Sequence, residues 1–198
     1  MNEEGVIKFN CQWTKSGPLN GAWIKNINPW RDKLYTSGLI GVTNDGIGYG
    51  NISIRFRQNE FIISGSGTGK FEKLTREHYA LVTDFNIDEN TIHSTGPIIA
   101  SSESLTHATI YDYSADIQAV IHVHHLKLWK KLLKSLPATA ENIEYGTPEM
   151  AKEIARLFSE QNLSHHKLFA MAGHSGGIVC FGKSLEEAGK LLMNKLRM

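Results

Sequence analysis

Apolar and polar positions alternate along the chain in short runs, and the runs are separated by segments of longer period. "VIKFNCQW", "YGNISIRF", "EFIISG", "ALVTDFN", "TIHST", "AVIHVH", "LFAMAG" and "GGIVCFG" are rich in β-branched and aromatic residues and predict strands. "RQN" and "IDEN" sit where tight connections between two pairs of these runs are needed, so hairpins are expected there. Between the strands lie helical patterns. One opens at Asn28-Pro29 and runs through Trp30, Leu34 and Tyr35, and another spans "SSESLTHATIYDYS", with serines suited to its start. "LKLWKKLLKSL" is a third; "GTPEMAKEIARLF" a fourth, with Thr147 as N-cap and Pro148 in the first turn. "SLEEAGKLLMNKL" is the last, with Ser184 and Glu187 at capping-box spacing. The interleaving predicts an α/β fold: one domain over residues 1–198, with a mixed, largely antiparallel sheet and helices on both faces.

Composition changes this picture little. The chain has 198 residues, 41% hydrophobic and 21% charged, which suits one ordinary globular core. The formal net charge of +1 offers no field for nucleic acid or a membrane surface, and neither is expected as a partner. Lys127, Lys130, Lys131 and Lys134 cluster, but at helical spacing around Leu128, Leu132 and Leu133, as a solvated face would. Two separated cysteines, Cys11 and Cys180, make no disulfide framework. With no apolar signal core or membrane-length run, a cytoplasmic protein is expected.

The candidate chemistry is in the histidines. Strand side chains alternate faces, so His122 and His124 of "AVIHVH" project to one side and Ile121 and Val123 to the other. His174, in "AGHSGG", stands at the end of another strand beside a glycine turn. Two imidazoles on one strand with a distant third fit a three-ligand metal site with an open position. A His-x-His pair alone is as compatible with hydrogen-bonded core histidines. Glu103 and His107 lie one helical turn apart. His125 is expected at the start of the next helix, and His165 and His166 at the surface.

"SGSGTGKF" invites a phosphate reading, yet it lacks the first glycine and the final Ser/Thr of a nucleotide-binding P-loop. A looser anion nest at Ser66 and Gly67 is as compatible with it as a plain turn. "YGNIS" adds Asn51, and "ASSES" adds Ser101 and Ser102 at a helix start. Three such loops ahead of one histidine pair suggest a phosphorylated metabolite.

Taken in order, "GNISIR", "SGSG", "SSESLTHATIY", "ADIQAVIHVH", "YGTPEMAKEIA" and "GHSGGIVCFGKSLEEA" resemble the class II aldolase/adducin family from about Gly38 onward. That family includes fuculose-1-phosphate and rhamnulose-1-phosphate aldolases, ribulose-5-phosphate 4-epimerase and methylthioribulose-1-phosphate dehydratase. The resemblance implies a three-layer αβα domain assembled as a homotetramer. It implies one divalent metal ion per chain on His122, His124 and His174, Zn²⁺ first and Mn²⁺, Co²⁺ or Fe²⁺ after it. Glu103 becomes the catalytic acid/base, and Asn51, Ser66, Gly67, Ser101 and Ser102 the phosphate contacts. The implied activity is a metal-dependent aldolase (a lyase) that cleaves a small sugar phosphate through a metal-stabilised enediolate. A sugar-phosphate epimerase or dehydratase on the same fold, and a non-catalytic adducin-like interaction domain, stay open. Sugar-phosphate aldolases of this type carry a tyrosine shortly before the "Y/F-G-T" segment; here that stretch is "ATAENIE". The third histidine is followed by "SGG" rather than one glycine, and the N-terminal "VIKFNCQW" run has no counterpart in the well-known members.

Overall fold

A computed structural model describes residues 5–197. Its strands are β1 (Asn10–Lys15), β2 (Gly41–Val42), β3 (Gly48–Tyr49), β4 (Asn51–Arg57), β5 (Glu60–Ser64), β6 (Tyr79–Asn86), β7 (Thr91–Gly96), β8 (Ala119–His124), β9 (Leu168–Ala170) and β10 (Gly177–Gly182). Its helices are α1 (Ile24–Thr36), α2 (Ser104–Tyr113), α3 (Leu126–Leu132), α4 (Pro148–Glu160), α5 (Leu163–His166) and α6 (Leu185–Arg197). Eight strands form one sheet in the order β1-β7-β6-β5-β4-β8-β10-β9, and β2 and β3 pair separately. Every pairing in the large sheet is antiparallel except β1 on β7. The mixed, largely antiparallel α/β architecture is therefore the one the alternation predicts.

Strand alternation sorts the core into two layers, one on each face. Phe61, Ile63, Val120, Val179 and Phe181 pack with α2 and α4 through Leu105, Ala108, Met150 and Ile154. Ile62, Ile121, Val123, Ile178 and Cys180 face the other way and pack with α1, α3 and α6 through Ile27, Leu34, Leu128 and Leu192. Ile121 and Val123 are fully buried, each worth about 1.5–3 kcal/mol relative to an exposed side chain. Their burial fixes the register of β8 and turns His122 and His124 to the α2/α4 face.

Three elements differ from the sequence reading. The first strand begins at Asn10, because Phe9 turns into the core and β1 takes its register from Thr91–Gly96 of β7. Helix α1 begins at Ile24, with Pro29 inside it. Proline cannot donate to the carbonyl of Lys25, but that residue is exposed, and complete burial of Ile27 holds the first turn regardless. The predicted "LKLWKKLLKSL" helix closes at Leu132, since Leu136 precedes Pro137 and proline disfavours a helical residue before it.

The caps behave as local chemistry requires. Thr147 accepts the Met150 N–H at the start of α4, with Pro148 in the first turn. Ser184 accepts the Glu187 N–H at 3.1 Å, but the Glu187 carboxylate takes the Lys183 N–H at 2.6 Å and the Lys167 ammonium at 2.5 Å. The expected capping box is thus shifted one residue outward on its return leg. Glu103, not a serine, is the N-cap of α2; the Ser101 hydroxyl accepts the Glu103 N–H.

Candidate metal centre

Three adjacent strands, β4, β8 and β10, bring the site together. Asn51 of β4 lies opposite His122 of β8, and His124 lies opposite Gly177 of β10. A tight turn precedes β10. His174 N–H donates to Met171 O, Gly177 N–H to His174 O, and Met171 N–H to Gly177 O. That turn needs both glycines of "HSGG". Gly176 has φ +84° and its carbonyl accepts His125 N–H, while a Cβ on Gly177 would lie 2.7 Å from His174 Cδ2.

The imidazoles of His122, His124 and His174 converge, one ligand atom of each lying within 4.8 Å of the others. Their ring centroids are 4.9, 5.5 and 4.6 Å apart in pairs. Glu103 enters from the start of α2, only 1% exposed, with Oε1 3.8 Å from His122 Nδ1 and 3.7 Å from His174 Nε2. His122 is fully buried and its Nε2 has no hydrogen-bond partner among the described residues. Burial first, then the neighbouring His124, His174 and His107, holds its pKa well below the ordinary histidine value. A neutral imidazole with an unbonded ring nitrogen is the form a metal takes, so the donor set fits a transition-metal ion.

Behind this site runs a buried polar chain that the sequence did not announce. His107 Nδ1 and Ser53 Oγ are 2.7 Å apart, and Ser53 Oγ and the Tyr111 hydroxyl 2.8 Å. Desolvation lowers the His107 pKa to about 3 and raises that of Tyr111. Tyr145 packs its ring 4.6 Å from that of His174. The N-terminal segment holds that tyrosine in turn. Val6 N–H donates to the Tyr145 hydroxyl at 3.1 Å, and Lys8 Nζ lies 4.6 Å above its ring and 2.9 Å from Glu144. Tyr49 also reaches the site, 5.4 Å from His124 between ring centroids.

The expected phosphate contacts lie on neighbouring loops. Gly65 bridges Ala100, the Ser66 N–H donates to Ile99 O, and Gly48 packs on the Gly67 carbonyl. Ser66 thus spends its amide inside the protein, and Gly67 is exposed at φ 70°. Ser101 and Ser102 are buried beside them. Asn51 is buried and bonded to a candidate metal ligand: its Nδ2 lies 3.3 Å from His122 Nδ1. Arg31 anchors the same region from α1. Its guanidinium donates to the carbonyls of Glu72, Thr68 and Gly69 at 2.6, 3.1 and 3.4 Å.

The remaining histidines fall outside. His125 caps α3, its Nδ1 accepting Leu128 N–H, and His165 and His166 lie in α5 away from the triad. No helix among the described residues is long and apolar enough to cross a membrane.

The fold matches an L-fuculose-1-phosphate aldolase from Thermus thermophilus with a TM-score of 0.61 and 23% identity, covering 85% of this chain and 86% of that one. A second L-fuculose 1-phosphate aldolase matches with a TM-score of 0.66 and 20% identity over 91% and 84% of the two chains. The N-terminal class II aldolase domain of a conserved Thermoplasma acidophilum protein matches at 0.61 and 12% identity over 92% and 94%. No curated protein sequence matches the chain. The family model for the class II aldolase and adducin N-terminal domain matches residues 35–194, a span that contains all three histidines and Glu103, and the chain belongs to that family.

Proposed function

We propose that this chain is a divalent-metal-dependent lyase of the aldolase type that cleaves a carbon–carbon bond in a small sugar phosphate. One observation carries the reading: a buried carboxylate, Glu103, stands within 3.8 Å of two of three converging imidazoles. His122, His124 and His174 would hold one ion, Zn²⁺ first and Mn²⁺, Co²⁺ or Fe²⁺ as alternatives. When bound, the ion supplies Lewis-acid polarisation of the substrate carbonyl and its neighbouring hydroxyl. The chain's own residues do the rest. Glu103, buried beside two of the imidazoles, would take up and return the proton of the reacting hydroxyl. Asn51, Ser66, Gly67, Ser101 and Ser102 hold the phosphate and so orient the scissile bond. The substrate class is taken from the fuculose-phosphate aldolases that share the fold. We place the protein in the cytoplasm, as one domain over residues 1–198, assembled as a homotetramer.

A second reading, epimerase or dehydratase, is favoured by "ATAENIE", which offers no tyrosine ahead of Tyr145 to protonate a leaving group. The test is metal analysis followed by a screen of ketose phosphates for cleavage, epimerisation and water loss. One transition-metal ion per chain, lost in His174→Ala, with turnover abolished in a metal-loaded Glu103→Gln, supports the proposal. A parent that takes up no added Zn²⁺ or Mn²⁺ overturns it in favour of an interaction module. Equal turnover of dephosphorylated sugars removes the phosphate from the reading.

A further inference from the structure

Beside the triad opens a cavity of about 370 Å³, large enough for a small molecule. Its wall includes His124 and His174, and with them Thr43, Tyr49, His125 and Ser175. Ser66, Gly67, Ser101 and Ser102 are not in that wall, so the cavity faces a part of the ligand other than the phosphate. Two of its side chains are fixed before any ligand arrives. His125 is the N-cap of α3: its Nδ1 accepts the Leu128 N–H at 3.0 Å, and its own backbone N–H donates to Gly176 O at 2.9 Å. An imidazole that accepts through Nδ1 is neutral and carries its proton on Nε2. The cap therefore dictates the tautomer, and the nitrogen left over for a ligand is a donor. Tyr49 is held by its main chain, which pairs with Gly41 and packs so closely on Gly69 that a Cβ there would lie 2.5 Å from the Tyr49 carbonyl oxygen. A Cβ on Gly41 would stand 2.7 Å from the Tyr49 hydroxyl, so glycine is what gives the phenol its place. That hydroxyl donates to Gly38 O over 3.4 Å, in an exposed bond at the long limit of hydrogen bonding. A ligand hydroxyl at ordinary distance replaces such a bond without loss. A fixed N–H donor and a phenol that can donate or accept, in one wall with two candidate metal ligands, suit a hydroxylated ligand.

We propose that His125 and Tyr49 are specificity-determining residues, which hydrogen-bond hydroxyl groups on the part of the substrate that leaves as an aldehyde. His125 donates through Nε2–H, and Tyr49 exchanges its Gly38 contact for a substrate hydroxyl. The inference rests on the lyase reading above and adds which residues choose the aldehyde, and by what group. A site whose polar atoms are set for a hydroxyl discriminates against the analogue that lacks it, because those atoms are then left without a ligand partner.

The test runs the reaction in the direction of bond formation, with the full chain loaded with Zn²⁺ and dihydroxyacetone phosphate as the common partner. Glycolaldehyde is compared with acetaldehyde, which lacks only the hydroxyl. The parent should prefer glycolaldehyde about tenfold or more in kcat/KM. Tyr49→Phe removes the hydroxyl and keeps the ring. His125→Asn keeps an acceptor for the Leu128 N–H, so α3 stays capped, but its short amide ends before the place of Nε2. Each variant should lose turnover of glycolaldehyde several-fold more than that of acetaldehyde, with the loss in the aldehyde KM rather than in kcat. A parent that uses both aldehydes equally overturns the inference and leaves the lyase reading standing. So do folded variants that lose both aldehydes in the same proportion, since a merely structural role predicts that pattern. Should His125→Asn fail to fold, Tyr49→Phe decides alone. A parent that joins neither aldehyde removes both the inference and the reading beneath it.

Discussion

Replacing Arg31 with methionine should loosen the loop that follows Ser66 and Gly67 without touching the histidines. Arg31 is buried in α1, and its guanidinium reaches across to the carbonyls of Thr68, Gly69 and Glu72. Thr68 and Gly69 are themselves buried, so water cannot replace the lost donor there, whereas exposed Glu72 can turn to solvent. A hydrogen bond from a charged donor contributes about 1.5–3 kcal/mol, and the Gly69 contact is long. Release of the desolvated guanidinium offsets part of the loss, and methionine fills most of the stem volume. The net cost is about 3 kcal/mol, or about 6–12 °C in Tm for a chain of this size. Because Thr68–Lys70 continues directly from the proposed anion loop, KM for a phosphorylated substrate should rise more than kcat falls. Differential scanning fluorimetry and steady-state kinetics read both effects. A variant whose Tm stays within about one degree of the parent, with KM unchanged, would refute the argument that this guanidinium organises the loop.

Ser53→Ala should cost about 2–4 kcal/mol in urea unfolding, because it leaves His107 Nδ1 and the Tyr111 hydroxyl buried without their shared partner; a loss below about 0.5 kcal/mol would rule out that network as a stabilising unit. The metal-free protein should be acid-labile: His107 stays neutral down to about pH 3 in the fold but titrates near 6.5 when unfolded. Protons therefore favour the unfolded chain as pH falls below about 6.5. His107 contributes a slope of about 1.4 kcal/mol per pH unit, and His122, lowered for the same reason, adds to it. Equal stability at pH 7 and pH 5 would contradict this. Gly177→Ala places a methyl group against His174 Cδ2 and should weaken metal binding about tenfold, read by isothermal titration, while the sheet keeps its circular-dichroism spectrum; parent-like affinity would show that the ring has room to move.

The parts of this molecule that the sequence disclosed are those with a local period or a local cap. His122 and His124 shared a face because strands have a period of two, and the turn glycines beside His174 marked a chain reversal. Thr147-Pro148 announced α4 for the same reason. What stayed hidden depends on distance along the chain. A buried arginine such as Arg31 looks like any surface cation in an amphipathic helix; only the carbonyls of Thr68–Glu72 explain it. The bond between Asn51 and His122 follows from the register of β4 on β8, which no local pattern encodes. The place of Tyr145 against His174 goes with contacts from an N-terminal segment whose parallel partner lies at Thr91–Gly96, which no local pattern encodes.

That parallel pairing sets an order of assembly. The hairpins β4–β5 and β6–β7 have short connections and can form early, whereas Asn10 must wait for Thr91 to arrive. Only once β1 has docked does Val6 stand where its N–H meets the Tyr145 hydroxyl beside His174. The wall of the metal site is thus closed by a segment made long before its partners. During synthesis that segment stays unpaired until β7 emerges, after β4, β5 and β6 and before β8 and β10. If the triad holds a metal as proposed, chains with an undocked β1 should retain it less well, because Tyr145 then lacks the Val6 contact beside His174.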